Sequence, residues 1–230
     1  MVSEIRIYVE GGGDRSDTKA LFREGMSQFL SQLRELARSK HIRWSIIACG
    51  SRNSAFENFC NALSSHAAAF NVLLVDSEAS VTALTTTAHL ENRDGWSMTG
   101  IAEEQCHLMV EVMENWFLAD VDALEQYYGQ RFNRSAIPRN QNVEKIAKAT
   151  VETSLNNATR STQKGTYHKI QHGTQLLAKV NSAIVRDRAP YCDRLFTKLA
   201  GQIEPSPPPQ TSAVPTQTSA TTPQQGDTSQ

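Results

Sequence analysis

The sequence predicts an α/β fold, a mainly parallel central sheet flanked by helices, followed by a helical C-terminal part and a disordered tail. Three observations lead there. β-rich runs alternate with helical stripes over the first 130 residues, one of those runs is uniformly apolar, and the last 27 residues hold six of the eight prolines.

Glu4 to Glu10 (EIRIYVE) alternates Ile5, Ile7 and Val9 against Arg6, Tyr8 and Glu10 and stops at a glycine run, as a strand entering a loop does. Phe22, Met26, Phe29, Leu30, Leu33, Leu36 and Ala37 then form one helical face, with Ser16 or Asp17 as the cap. A second strand, Ile42 to Cys49, ends at Gly50, and Asn53 to His66 carries the stripe of a second helix through Phe56, Phe59, Cys60 and Leu63. Val72 to Asp76 (VLLVD) has the uniform apolarity of a strand buried on both faces of a parallel sheet. His107 to Met113 is the fourth strand, and a helix from about Asn115 shows Phe117, Val121, Leu124 and Tyr128 on one face. Beyond Tyr128 the pattern is helical, with breaks at Pro138, around Gly165 and at Pro190. This divides the chain into an α/β core at 1–130, a basic helical part at 131–203 packed on it, and a Pro/Ser/Thr/Gln-rich tail at 204–230 without the apolar residues that ordering requires.

The 230 residues are 39% hydrophobic and 20% charged, enough for one or at most two domains with a real core. No run approaches the roughly 18 apolar residues of a membrane span, and the charged N-terminus does not read as a signal peptide, so a cytoplasmic protein without membrane contact is expected. The cysteines Cys49, Cys60, Cys106 and Cys192 are scattered without metal or disulfide spacing and read as buried thiols. A formal net charge of −1 hides an asymmetry: residues 71–130 carry eleven acids against Arg93, and residues 131–198 carry thirteen Lys or Arg against four acids. Such a split means mutual neutralisation across the fold or a cation-binding centre beside a surface for polyanions.

Three of the four strands end in carboxylates: Glu10 with Asp14 after the triple glycine, Asp76 with Glu78, and Glu111 with Glu114. Parallel strands bring their C-terminal ends to one edge, where open α/β sheets bind ligands. Hard divalent ions, Mg²⁺ or Mn²⁺, take oxygen ligands and keep room for phosphate oxygens, so Asp76, Glu78 and Glu114 are the candidate metal ligands. Glu10 is the candidate general acid or base, with Asp14 assisting. Asp76 and Glu78 point the same way if the strand stays extended through 78, whereas Glu111 and Glu114 have opposite parity and share the crevice only if their strand ends or bends between them. Strand-end acids also cap helices, which would account for Asp14, Glu114 and Glu78 with no further role.

In the basic half, Lys164, Tyr167, Lys169 and His172 are candidate nucleic-acid contacts, Lys169 and His172 sharing a face if a helix starts near Thr166, with Arg52 and Arg160 as further phosphate contacts. His168 and His172, four apart, lack the third ligand a metal pair needs. Trp96, between the third and fourth strands, stacks on a nucleotide or packs over the sheet edge.

A strand ending in Glu-Gly-x-x-Asp, a later strand ending in Asp-x-Glu and a further acid resemble the Toprim domain of topoisomerases, primases and nucleases of the overcoming-lysogenization-defect type. IYVEGGGD, CGSRNSAF, LLVDSE, VEVMENWFLAD, KGTYHKIQHG and RAPYCDRLFTKL are similar to successive blocks of the bacterial family labelled domain of unknown function 4276, over residues 5–199. The resemblance implies a Toprim-like sandwich and, by analogy with Toprim nucleases paired with ATPases, a role in phage defence. Glu78 stands where the wider Toprim pattern usually has Asp, which bears on the metal geometry. No ATP-binding loop motif occurs, so an ATPase would be a partner protein. The expected function is therefore a Mg²⁺- or Mn²⁺-dependent nuclease acting on DNA or RNA. The rival is a non-catalytic interaction or regulatory subunit of an ATPase complex, with basic helices packed on residues 103–125.

Overall fold

Period-two alternation sets the layers. In a computed structural model, which describes residues 2–205, strand β1 (Glu4–Glu10) sends Ile5, Ile7 and Val9 into one buried cluster and Tyr8 into another. Strand β3 (Phe70–Asp76) does the same with Val72 and Leu74 against Leu73 and Val75. β3 is buried on two faces, which is why its run reads as uniformly apolar, whereas β1 keeps Arg6 and Glu10 only partly buried and so reads as alternating. From 206 on, the tail expected at 204–230 lies outside the described residues.

Helices α1 (Ser16–Phe29) and α2 (Ser31–Ser39) replace the single helix expected there; the break at Leu30 leaves Phe29, Leu30 and Leu33 all buried, so the apolar stripe runs across it. They lead to β2 (Arg43–Gly50), and α3 (Arg52–Ser65) follows, its Ser51 hydroxyl accepting from the Ser54 amide at 3.2 Å. Helix α4 (Thr86–Asp94) lies between β3 and β4, where the sequence pattern assigns no element. Its Leu90 is the main apolar anchor, too little to make a stripe. Strand β4 (Cys106–Met109) ends four residues short of the expected Met113. The helix expected from Asn115 is two: α5 (Glu114–Ala119) and α6 (Val121–Tyr128), divided at Asp120, whose side chain accepts from the Ala123 amide at 3.1 Å.

The sheet is wholly parallel in the order β2-β1-β3-β4. The chain leaves β1 for β2 through α1 and α2 over one face, then crosses through α3 on the other face to β3, on the opposite side of β1. The gap between the C-terminal ends of β1 and β3 is therefore the topological switch point, where an open α/β sheet has a crevice no crossover covers.

The C-terminal part is less helical than its sequence pattern. It comprises α7 (Lys148–Thr159), α8 (Gly173–Leu177), α9 (Ser182–Arg188) and α10 (Pro190–Ile203), with residues 160–172 in turns and no helix starting near Thr166. Pro190, expected as a break, opens α10, where its missing N–H costs nothing. Leu155, Leu176, Val185, Leu195 and Leu199 join the cluster formed by β1, α1 and α2, and Phe29 stacks on Trp116 with centroids 4.8 Å apart. Among the described residues no helix is long and apolar enough to cross a membrane, and all four cysteines are free.

Candidate functional site

At the switch point, one oxygen each from Glu10, Asp76 and Glu78 lie within 4.8 Å of one another. Three local features aim them. The β1–β2 pairing skips Cys49, so Glu10 pairs Gly50, an irregularity that turns the end of the strand. Gly11 and Gly50 then exchange two hydrogen bonds of 2.9 and 3.0 Å. Gly11 has φ +131°, and a Cβ there would lie 2.5 Å from the tip of the Phe22 ring on α1, so a side chain would be strained and would displace that ring. Glu78 is not on an extended continuation of β3: it adopts φ 61°, with its amide donating to the Glu111 carbonyl at 2.7 Å. That left-handed turn, costing on the order of 1 kcal/mol, brings its carboxylate in.

Asp76 is almost fully buried, its Oδ1 accepting from the Met113 amide at 2.8 Å while Oδ2 faces Lys169 at 3.6 Å. Burial, with Glu10 and Glu114 nearby, pushes its pKa up to about 8, although Lys169 and the Met113 amide act against the shift. Glu10 Oε2 accepts from the Asp76 amide at 3.1 Å and from Arg52 at 3.3 Å, and burial raises its pKa despite that guanidinium. At Glu78 burial is outweighed by Lys148, which pairs with it, so its pKa is lowered. Glu114, on the first turn of α5, accepts from the Tyr167 hydroxyl at 2.9 Å; its Oε2 is buried, has no hydrogen bond, and lies 3.6 Å from Lys169. The Lys169 ammonium is thus held by Asp76, Glu114, Glu10 and Glu78, which together raise its pKa against the opposing effect of burial.

A model of a domain of unknown function, DUF4276, matches residues 9–200, which span every group in this cluster. The chain belongs to the DUF4276 family. No curated protein and no solved structure matches it. The Toprim likeness therefore rests on the pattern of strand-end acids alone.

Within the DUF4276 region the expected site residues separate. Glu10, Asp76 and Glu78 come together, Glu114 stands one lysine away, and Asp14 is exposed outside the set. Because β4 ends at Met109, the parity of Glu111 and Glu114 no longer matters; the Glu111 carboxylate accepts from Ser80 and from the Lys148 amide, away from the cluster. His172 is buried with its Nδ1 against the Tyr128 hydroxyl at 3.0 Å, so it presents nothing to a phosphate and shares no helical face with Lys169. The half-buried Tyr167 is held through its hydroxyl by Glu114, and Lys164 lies over the Tyr127 ring at 4.8 Å. Arg52 is taken up by Asp94, by Glu10 and by the Asp76 carbonyl, with its side chain only 13% exposed. Trp96 packs rather than waits: it stacks on Phe56 at 4.2 Å and under the Arg52 guanidinium at 5.0 Å. Arg160 is exposed at the end of α7. Sequence reasoning missed Asp94 and Lys148, which lie 42 and 70 residues from the groups they pair with and carry no local motif.

The donor set suits a hard divalent ion. It is all carboxylate oxygen, and its 4.8 Å span is comparable to the roughly 4–5 Å between oxygens on opposite sides of one ion. An ion would also partner the Glu114 oxygen that has no hydrogen bond and add positive charge beside the nearly buried Asp76.

Proposed function

We propose that this DUF4276 chain is a Mg²⁺- or Mn²⁺-dependent nuclease whose centre is the crevice between β1 and β3. The observation that carries this reading is the convergence of Glu10, Asp76 and Glu78 within 4.8 Å at the switch point of the sheet. The ion, when bound, polarises a phosphoryl oxygen and stabilises the attacking and leaving oxygens of a phosphodiester. Asp76 and Glu78 hold it, with Glu114 completing the set. Glu10 keeps Oε2 fixed by the Asp76 amide and Arg52, so Oε1 is the atom that takes or gives the proton, and burial raises its pKa in the direction that favours holding one. Lys148 and Lys169, at the edge of the acid cluster, would hold the phosphate. An ATPase partner, a role in phage defence and a cytoplasmic site belong to the proposal through the sequence resemblance and composition.

One observation favours the non-catalytic reading. Arg194 pairs with Glu103, Lys198 with Glu104, and Arg134 with Asp122 and Glu125, so the basic segment neutralises the acidic one within the fold. Cleavage of labelled single- and double-stranded DNA and RNA with Mn²⁺ separates the two. The nuclease reading expects cleavage by wild type that falls at least about a hundredfold in Glu10→Gln and in Asp76→Asn. Equal residual signal in all three proteins would leave the interaction subunit.

A further inference from the structure

Beside the acid cluster, between α7 and the turn segment 166–169, lies a second cavity of about 510 Å³, within the range of small-ligand sites. The half-buried Tyr167 is part of its lining, backed by the buried Val112, Val151 and Leu155. Asn156, half-buried on α7, offers an amide that both donates and accepts. The wall shared with the acid cluster carries Glu114, whose buried side chain has one oxygen without a hydrogen-bond partner, and the two ammonium groups of Lys148 and Lys169. Lys169 lines this cavity and also the smaller one of about 240 Å³ that contains Glu10 and Asp76, so the two spaces meet at its side chain.

The lining joins two ammonium groups at the acid cluster to apolar side chains and, on α7, to the Asn156 amide and the Glu152 carboxylate. We propose that this cavity seats one unpaired nucleotide of the strand to be cleaved, a proposal that rests on the nuclease reading and names its substrate as single-stranded. The phosphate lies at Lys148 and Lys169, and the base lies beside Tyr167, over the buried Val151 and Leu155, with its edge toward the Asn156 amide. A base seated there has no room for its complement, so a duplex reaches the acids only where it is open.

The test needs no metal. Adenosine and uridine 5′-monophosphates, ribose 5-phosphate and inorganic phosphate are titrated into the metal-free full chain, wild type and Asn156→Trp, with a short 5′-phosphorylated single strand and its duplex as competitors. The nucleotides are expected to bind about tenfold or more tightly than ribose 5-phosphate, to lose that advantage in Asn156→Trp, and to be displaced by the single strand but not by the duplex. Equal binding of nucleotide and ribose 5-phosphate by wild type overturns the base site, and that arm does not depend on how the variant folds. Displacement by duplex as well as by single strand, or by neither, overturns the unpaired-strand assignment. Mn²⁺ titration of the same samples reports the acid cluster separately, so a failed nucleotide site with intact metal binding leaves the nuclease reading standing.

Discussion

The two flanks of the acid cluster are neutralised by different cations in different ways. On the β1 flank, Arg52 grips Asp94 through two bonds of 2.9 and 2.6 Å, lies over Trp96, and reaches Glu10 from a side chain 13% exposed. On the β3 flank, Lys169 stands 3.6 Å from both Asp76 and Glu114, makes no hydrogen bond to either, and leaves 56% of its side chain exposed. A planar fork fixed by a bidentate partner is part of the framework, whereas an ammonium on a flexible stem is a counter-ion that another cation can displace. The difference teaches which half of the site is built to stay and which half to exchange.

That contrast breaks if the two flanks respond alike. Asp94→Ala leaves the buried Arg52 without its main partner and is expected to destabilise the fold by about 3–5 kcal/mol in urea unfolding. Lys169→Gln, at an exposed side chain, is expected to cost no more than about 1 kcal/mol. Similar losses in the two variants would show that Lys169 is framework as well.

A smaller effect sharpens the contrast through pH. The Asp76 pKa of about 8 in the fold stands above the roughly 3.9 of an unfolded chain. Between those values the folded state binds the extra proton, so this group's contribution to stability is full below about pH 4 and is lost as pH rises through about 8. Metal-free Asp76→Asn, whose amide oxygen can still accept from Met113, is therefore expected to melt above wild type at pH 8, with the gap closing toward pH 4–5. A gap that does not change with pH would place the cost elsewhere.

Displacement predicts the next effect. With the competing ammonium gone, Lys169→Gln is expected to bind Mn²⁺ about fivefold more tightly in calorimetry; weaker binding would make Lys169 a helper of the ion rather than its rival. An effect of similar size is expected for Trp96→Leu, which removes the ring under Arg52 and costs about 1 kcal/mol in the same urea assay with Mn²⁺ affinity retained.

Much of the framework was legible in the sequence because it rests on periodicity. The Ile5, Ile7, Val9 alternation marks β1, the VLLVD run marks β3, and parallel strands must deliver Glu10 and Asp76 to one edge. Glu78 joins them for a reason the period-two argument did not contain, a left-handed turn held by the Glu111 carbonyl. Helix α4 escaped notice because it buries too few apolar side chains to make a stripe. Arg52 and Lys169 looked alike as candidate phosphate contacts; only the tertiary fold separates them, by placing Asp94 beside one and turning the 160–172 segment back over the acids with the other. The opposed charges of residues 71–130 and 131–198 had two readings, and the Arg194, Lys198 and Arg134 pairs account for much of the first without touching the switch point.

The most direct measurement is calorimetric titration of Mn²⁺ into metal-free wild type and Asp76→Asn at pH 8. The nuclease reading expects saturable binding by wild type and its loss in the variant; absence of binding in wild type, or equal binding in both proteins, would contradict a metal centre between β1 and β3.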